Sequence, residues 1–239
     1  MRTKRVKLID WENKLKAIKK KGFVKTHRSG DTAIGKTLED LMGITENNIP
    51  EPDGGKIELK SARKPTISML TFFTKSPLPR GTNGALLKRF GYKGDKETGL
   101  RLETTVKFGG FNRIKGKDGF KLAMDKTSGN INLLALDNTI VGYWDKDAVE
   151  KHFKKAAKIL YVLADTRGNS KNEVFWFNEA LLLSEFSFDR FMQLVRDGKI
   201  VIDIRIGQYK DGRPHDHGTG FRIKPENLNN CFNKTIKIL

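Results

Sequence analysis

Apolar residues recur at helical spacing near the start of the chain. Trp11, Leu15 and Ile18 follow i, i+4, i+7 with lysines between them, which predicts an amphipathic helix running to Gly22. Ile34, Leu38 and Leu41 repeat that spacing, with Asp31 or Thr32 as the cap and Gly43 as the stop. The period then shortens to that of strands. Lys56–Lys60, Ile67–Phe73, Leu102–Phe108, Phe120–Met124, Ile131–Leu136 and Thr139–Trp144 read as strands, and Asp137-Asn138 as the hairpin turn between the last two. Asp145 caps a helix reaching Lys155, and the apolar run Ile159–Ala164 reads as a buried strand. A helical stretch opens at Ser187 or Asp189 and ends at Gly198; Ile200–Ile206 and Gly220–Ile223 are strands flanking a polar loop. The pattern predicts an α/β (mixed α+β) fold, a central mixed β-sheet flanked by helices.

Composition narrows the setting. The 239 residues suit one large domain or two lobes sharing a core. Cys231 is the single cysteine, so no disulfide framework is possible and a reducing, cytoplasmic setting is expected. No run approaches the ~18 apolar residues of a membrane span, and the first residues carry charge without an apolar segment. The formal net charge is +18, which favours phosphate backbones through counterion release; the plainer alternative is a merely cationic protein. The charge is uneven. Residues 31–55 hold one lysine, Lys36, against six acids, Asp31, Glu39, Asp40, Glu46, Glu51 and Asp53. Carboxylates gathered inside a cationic chain repel DNA unless a divalent metal neutralises them.

Three segments carry candidate chemistry. In Pro52-Asp53-Gly54-Gly55-Lys56-Ile57-Glu58-Leu59-Lys60, a strand over 56–60 puts Glu58 and Lys60 on one face and Ile57 and Leu59 on the other. Asp53, freed by two glycines, can swing toward Glu58. Two carboxylates and a strand carbonyl make an all-oxygen pocket suited to Mg²⁺, and an adjacent ammonium can orient a water and stabilise charge in a phosphodiester attack. Glu39, on the helix upstream, is a third carboxylate for that site. An ordinary charged strand edge is the alternative, since Asp-x4-Glu-x-Lys is a short pattern.

Gly30-Asp31-Thr32-Ala33-Ile34-Gly35-Lys36-Thr37 satisfies the G-x4-G-K-[ST] pattern of an ATP-binding P-loop, and Ile159–Ala164 followed by Asp165 mimics its metal-holding strand. A P-loop needs a buried parallel strand leading into the glycines. Only Phe23 and Val24 precede the polar residues 25–29 here, so this reading is the runner-up from another class. In Ile202-Asp203-Ile204-Arg205-Ile206, alternation puts Asp203 and Arg205 on one face, and His215-Asp216-His217-Gly218-Thr219-Gly220-Phe221-Arg222-Ile223 follows a turn-rich loop. Arginine is the bidentate partner of guanine and aspartate an acceptor from cytosine N4, so one Asp and two Arg suit C·G pairs. A surface ion-pair ladder is the equal alternative. His215 and His217 lack further His or Cys with which to bind zinc.

These pieces, in this order, resemble the MvaI/BcnI family of type II restriction endonucleases, and more closely its MvaI branch. The matching stretches are Gly30–Met42, Pro52–Lys60, Leu70–Pro77 with Pro79-Arg80-Gly81, Val201–Gly207 and His215–Ile223. The catalytic part is also similar to the strand-nicking endonuclease of methyl-directed mismatch repair. The resemblance implies a restriction-endonuclease-like PD-(D/E)xK core, in a monomer whose catalytic and recognition lobes clasp double-stranded DNA. The lobes are expected at approximately 1–110 for the catalytic core and 111–239 for the remaining core and recognition. It implies catalytic positions at Asp53, Glu58, Lys60 and Glu39, with Asp53 and Glu58 on Mg²⁺ (Mn²⁺ substituting). It implies DNA contacts at Asp203, Arg205, Arg222, His215, His217 and Arg80. CCWGG is the site of the MvaI branch and CCSGG of the BcnI branch; the Gly-Thr-x-Phe-Arg ending favours the former, while Gly54-Gly55 and the loop Gln208–Pro214 depart from the pattern. Cleavage within the site leaving a short 5′ overhang, and a methyltransferase in the same system, are carried over with it.

Overall fold

The computed structural model describes residues 8–44, 57–65, 68–94, 99–155 and 158–239. Contacts divide the chain into two compact units: Met1–Ile67, His152–Ser187 and Phe232–Leu239 form one, and Ser68–Lys151 with Phe188–Cys231 the other. The chain thus passes between them several times, and a boundary near residue 110 falls inside the second unit.

In the first unit, strand Ile57–Lys64 runs parallel to the apolar strand Lys158–Arg167. That strand pairs antiparallel with the long strand Val174–Phe186, whose far side takes both Phe232–Lys237 and the short Val24–Lys25. The sheet is mixed, and Ile57–Lys64 has an open edge among the described residues. Helices Leu8–Lys20 and Ala33–Met42 cover one face. Trp11, Leu15, Ile18, Ile34, Leu38 and Met42 pack there on Leu160, Val162, Ala164, Phe175 and Phe177. The expected apolar stripes are thus the buried ones, because burying them against a sheet supplies most of the stability of short helices. Gly43 ends the second helix at φ +70°, where its N–H bonds the Asp40 carbonyl. Thr32 takes the N-cap position without a side-chain hydrogen bond.

In the second unit, strands lie in the order Leu70–Thr74, Gly220–Ile223, Ile200–Gln208, Leu100–Val106, Tyr92–Lys93, all antiparallel. Pro214–Asp216 pairs with the far end of Ile200–Gln208. Lys121–Met124, Ile131–Leu134 and Ile140–Trp144 form a separate three-stranded meander. Ile200, Ile202, Ile204 and Ile206 are fully buried on one face, where helix Phe188–Arg196 packs and Phe191 meets Phe221 at 5.8 Å. Asp203 and Arg205 therefore leave the opposite face. Gly220 is required by its neighbour: a Cβ there would lie 2.6 Å from the Phe73 carbonyl oxygen. Asp145 caps helix Lys146–Lys155 as expected, its carboxylate accepting the Ala148 N–H at 2.8 Å.

The expected set lacked, among others, the strands Val174–Phe186 and Phe232–Lys237 and the helix Thr82–Phe90.

Candidate active site

The nuclease motif begins with the parallel pairing of Ile57–Lys64. Register places Glu58 beside Ile159 and Lys60 beside Tyr161, while Ile57 and Leu59 join the helix-covered core. Glu58 and Lys60 consequently share the face away from those helices. Their charged ends meet, Lys60 Nζ lying 2.6 Å from Glu58 Oε1, with side chains only 15% and 27% exposed respectively. Asp53 lies outside the described residues. Glu39 is half-buried on the helix Ala33–Met42, which packs against this strand. Among the described residues, no group of three or more His, Cys, Asp or Glu is gathered to hold a metal. The described donor is the Glu58 carboxylate, a hard oxygen ligand of the kind Mg²⁺ takes.

A polar network continues along the same face. Lys64 reaches Glu179 at 2.8 Å and donates to the Asn178 side-chain Oδ1 at 2.9 Å, and the Asn178 side-chain amide donates to Asp165 at 2.6 Å. The register shift opposite Leu163/Ala164 leaves Asn178 unpaired in the ladder; such a bulge re-aims side chains beside a site. Tyr161 is buried between the two groups, and burial, with Glu179 nearby, pushes its hydroxyl up to about 12, so it holds its proton at neutral pH.

The P-loop reading does not survive the geometry. The strand before the motif, Val24–Lys25, is two residues long and antiparallel at the sheet margin. Gly35, Lys36 and Thr37 are inside the helix Ala33–Met42; Thr37 is buried, donates to the Ala33 carbonyl, and accepts the His27 N–H. Lys36 Nζ lies 3.0 Å from Asp40. Hydrogen bonds from His27 and Lys36 hold the Asp40 carboxyl below its ordinary value.

The second unit assembles the other set. Asp203 is opposite Gly220 on one neighbouring strand and Thr105 on the other. Thr105 Oγ1 donates to Asp203 Oδ1 at 3.0 Å, while Arg205 Nε at 2.8 Å and Arg222 Nε at 3.0 Å both face Oδ2. The Arg205–Asp203 contact is an aligned hydrogen bond; the Arg222 Nε–H is close by distance but has no aligned acceptor. Burial and the Arg205 guanidinium push Arg222 below its ordinary value, only partly offset by Asp203. Arg205 stands 45% exposed and Arg222 only 16%, so one guanidinium is presented and the other held back. A carboxylate has about four acceptor positions; Thr105 and Arg205 engage two of them with aligned hydrogen bonds, and Arg222 adds an ion pair.

His215 stands opposite Gly207, and its ring meets His217 edge-on at 4.3 Å. A Cβ at Gly207 would collide with the His217 ring, so that glycine makes the seat for it. Asp216 anchors this segment through Ser76 (2.6 Å), Asn83 (3.0 Å) and the amides of Gly218 and Thr219. Arg80 is exposed in the turn before helix Thr82–Phe90. Thr105, Asp216 and Thr219, whose Oγ1 accepts the Arg205 N–H at 3.1 Å, were not among the expected residues.

The MvaI/BcnI restriction endonuclease family profile matches residues 12–232, a span that includes both clusters. The chain belongs to the MvaI/BcnI restriction endonuclease family. It is thus a site-specific deoxyribonuclease, and its mixed α+β architecture is the family's restriction-endonuclease fold. The chain is similar to restriction endonuclease MvaI solved as a cognate DNA substrate complex, with 28% identity, 98% of this chain and 100% of that chain covered, and a TM-score of 0.84. MvaI in the absence of DNA is similar at 27% identity with 100% of each chain covered and a TM-score of 0.59. No curated protein sequence matches significantly. No helix among the described residues is long and apolar enough to cross a membrane.

Proposed function

We propose that this MvaI/BcnI-family enzyme hydrolyses phosphodiester bonds of double-stranded DNA at CCWGG. It depends on Mg²⁺, with Mn²⁺ substituting, and acts as a cytoplasmic monomer that cuts one strand at a time; a cognate methyltransferase belongs to the same system as a functional, not physical, partner. The observation that carries the reading is the Glu58–Lys60 pair, 2.6 Å apart on an open sheet edge inside a segment matched by the family. Similarity to an MvaI complex with cognate DNA supports the duplex as substrate.

Glu58, together with Asp53, would hold the metal, with Glu39 as a third carboxylate. A divalent ion bound there supplies charge neutralisation at the phosphate and a more acidic water. Lys60 is poised, once Glu58 turns to the metal, to hold the attacking water and offset charge gathering on the phosphoryl oxygens. In the other unit, Arg205 and Arg222 take guanine O6 and N7. Asp203 sets both guanidiniums and keeps acceptor capacity for cytosine N4. Arg80, His215 and His217 contribute further DNA contacts.

Digestion of a sequenced supercoiled plasmid with Mg²⁺, with the fragment ends read, tests this. Ends inside CCWGG preceded by a nicked circle are expected; direct linearisation with no nicked species argues against a single centre acting twice. A strand-specific nicking enzyme of the mismatch-repair type is the second reading, favoured by the similarity of the catalytic segment. Mapping both strands separates the two.

A further inference from the structure

The reading face extends beyond the residues already placed on it. Asp203, Arg205 and Gly207 alternate onto one face of strand Ile200–Gln208, and Tyr209, the first residue beyond that strand, sets its ring against His215, the residue opposite Gly207. Tyr209 is 46% exposed, one of the few large hydrophobic side chains that is not covered. It is nevertheless held firmly. His215 lies 4.5 Å from its ring and tilted against it, and the Arg213 guanidinium lies over the ring at 5.7 Å. Its amide bonds the Arg213 carbonyl and its carbonyl the Gly212 amide. Gln208 ties the turn down, accepting the Leu100 N–H and donating to the Gly212 carbonyl, both at 2.9 Å. With a face occupied by its neighbours, the ring presents its outer edge and hydroxyl.

We propose that Tyr209 is a specificity-determining residue that contacts a base edge of the cognate duplex in the major groove. It lies four residues beyond Arg205, about 13 Å along the strand. On the order of four base-pair steps fit that length, so Tyr209 reads a different base pair from Arg205. An exposed aromatic ring with restricted rotamers is costly to solvate and cheap to immobilise, which suits it to a base contact. The inference rests on the nuclease reading above.

The experiment compares Tyr209→Ala and Arg205→Ala with the wild type, measuring kcat/KM on the cognate duplex and on duplexes changed at each single base pair. Tyr209→Ala should lower discrimination about tenfold or more at one base pair, and that pair should differ from the one relaxed by Arg205→Ala. Tyr209→Phe separates the ring from the hydroxyl: retained discrimination assigns the contact to the ring edge, lost discrimination to the hydroxyl. An equal loss on every duplex, an unchanged profile, or relaxation at the same pair as Arg205→Ala overturns the proposal. An unchanged unfolding midpoint for Tyr209→Ala confirms that the fold is intact. If the wild type cleaves no DNA with Mg²⁺, the nuclease reading fails instead; if it cleaves its site and Tyr209 shows no position-specific effect, only this inference fails.

Discussion

Single side chains in this protein are set by competition for a few carboxylate oxygens. Asp203 serves two guanidiniums and a threonine at once. Its replacement by alanine should therefore weaken reading by both arginines, while Arg205→Ala costs about 1–3 kcal/mol at one guanine. Binding assays on a set of single-substituted duplexes check this: loss confined to one position is expected for Arg205, and equal loss on random DNA would mark it as a phosphate contact. Glu58→Gln and Lys60→Ala should abolish cleavage and leave duplex binding largely intact. Asp216 offers a pH test. Burial alone would raise its carboxyl, but donations from Ser76, Thr219, Gly218 and Asn83 outweigh that and hold it below the ordinary 3.8. A depressed carboxyl contributes stability above the unfolded value and loses it as the pH falls through the folded one. Protection of the Gly218 and Thr219 amides, taken relative to the intrinsic exchange rate at each pH, should thus fall as the pH drops below 3.8, and Ser76→Ala should move that onset upward.

At the scale of elements, the Arg63–Glu173 clamp decides how one helix meets its sheet. Arg63 bonds both Glu173 oxygens, at 2.6 and 2.7 Å, and also reaches the carbonyls of Gly30 and Asp31 just before the helix Ala33–Met42. The hydrogen-bonded Glu173 carboxylate, aided by Coulomb attraction to Glu173 and Asp31, outweighs burial and raises the Arg63 guanidinium. Arg63→Ala leaves a buried carboxylate unpaired, and about 3 kcal/mol of stability should be lost in urea unfolding, near the low end for breaking such a pair. The longer elements missing from the sequence reading each lack a local signal, for different reasons. In Val174–Phe186, Phe175 and Phe177 are buried at odd positions and Ala180 and Leu182 at even ones. The bulge at Asn178 flips the parity, so no period-two pattern runs through the strand. Thr82–Phe90 contains Gly84 and starts at Gly81 with φ +95°, both contrary to helix propensity. Phe232–Lys237 is exposed beyond its first residue and is a strand only because Val174–Phe186 offers it an edge.

For the whole molecule the dominant quantity is the net charge of +18. Binding to a random duplex should fall about a thousandfold between 50 and 200 mM salt for roughly six phosphate contacts, with a log–log slope of about −0.9 per contact. A flat salt response in a filter-binding or anisotropy titration would show that the charge is spread away from the DNA.

Short-range pattern settled much of this protein from the chain alone: the amphipathic helices, the Glu58–Lys60 alternation, the isoleucine face behind Asp203 and Arg205, and the family they resemble. Periodicity along one segment reports which face a residue takes, so these were readable without partners. Tertiary structure decided what depends on a neighbour in space. It interleaved the two units along the chain, turned Lys36 from a phosphate lysine into an Asp40 partner, and enlisted Thr105 and Asp216 as supports. Register and packing choose such partners from residues tens of positions apart, and a sequence carries no local mark of who its neighbour will be.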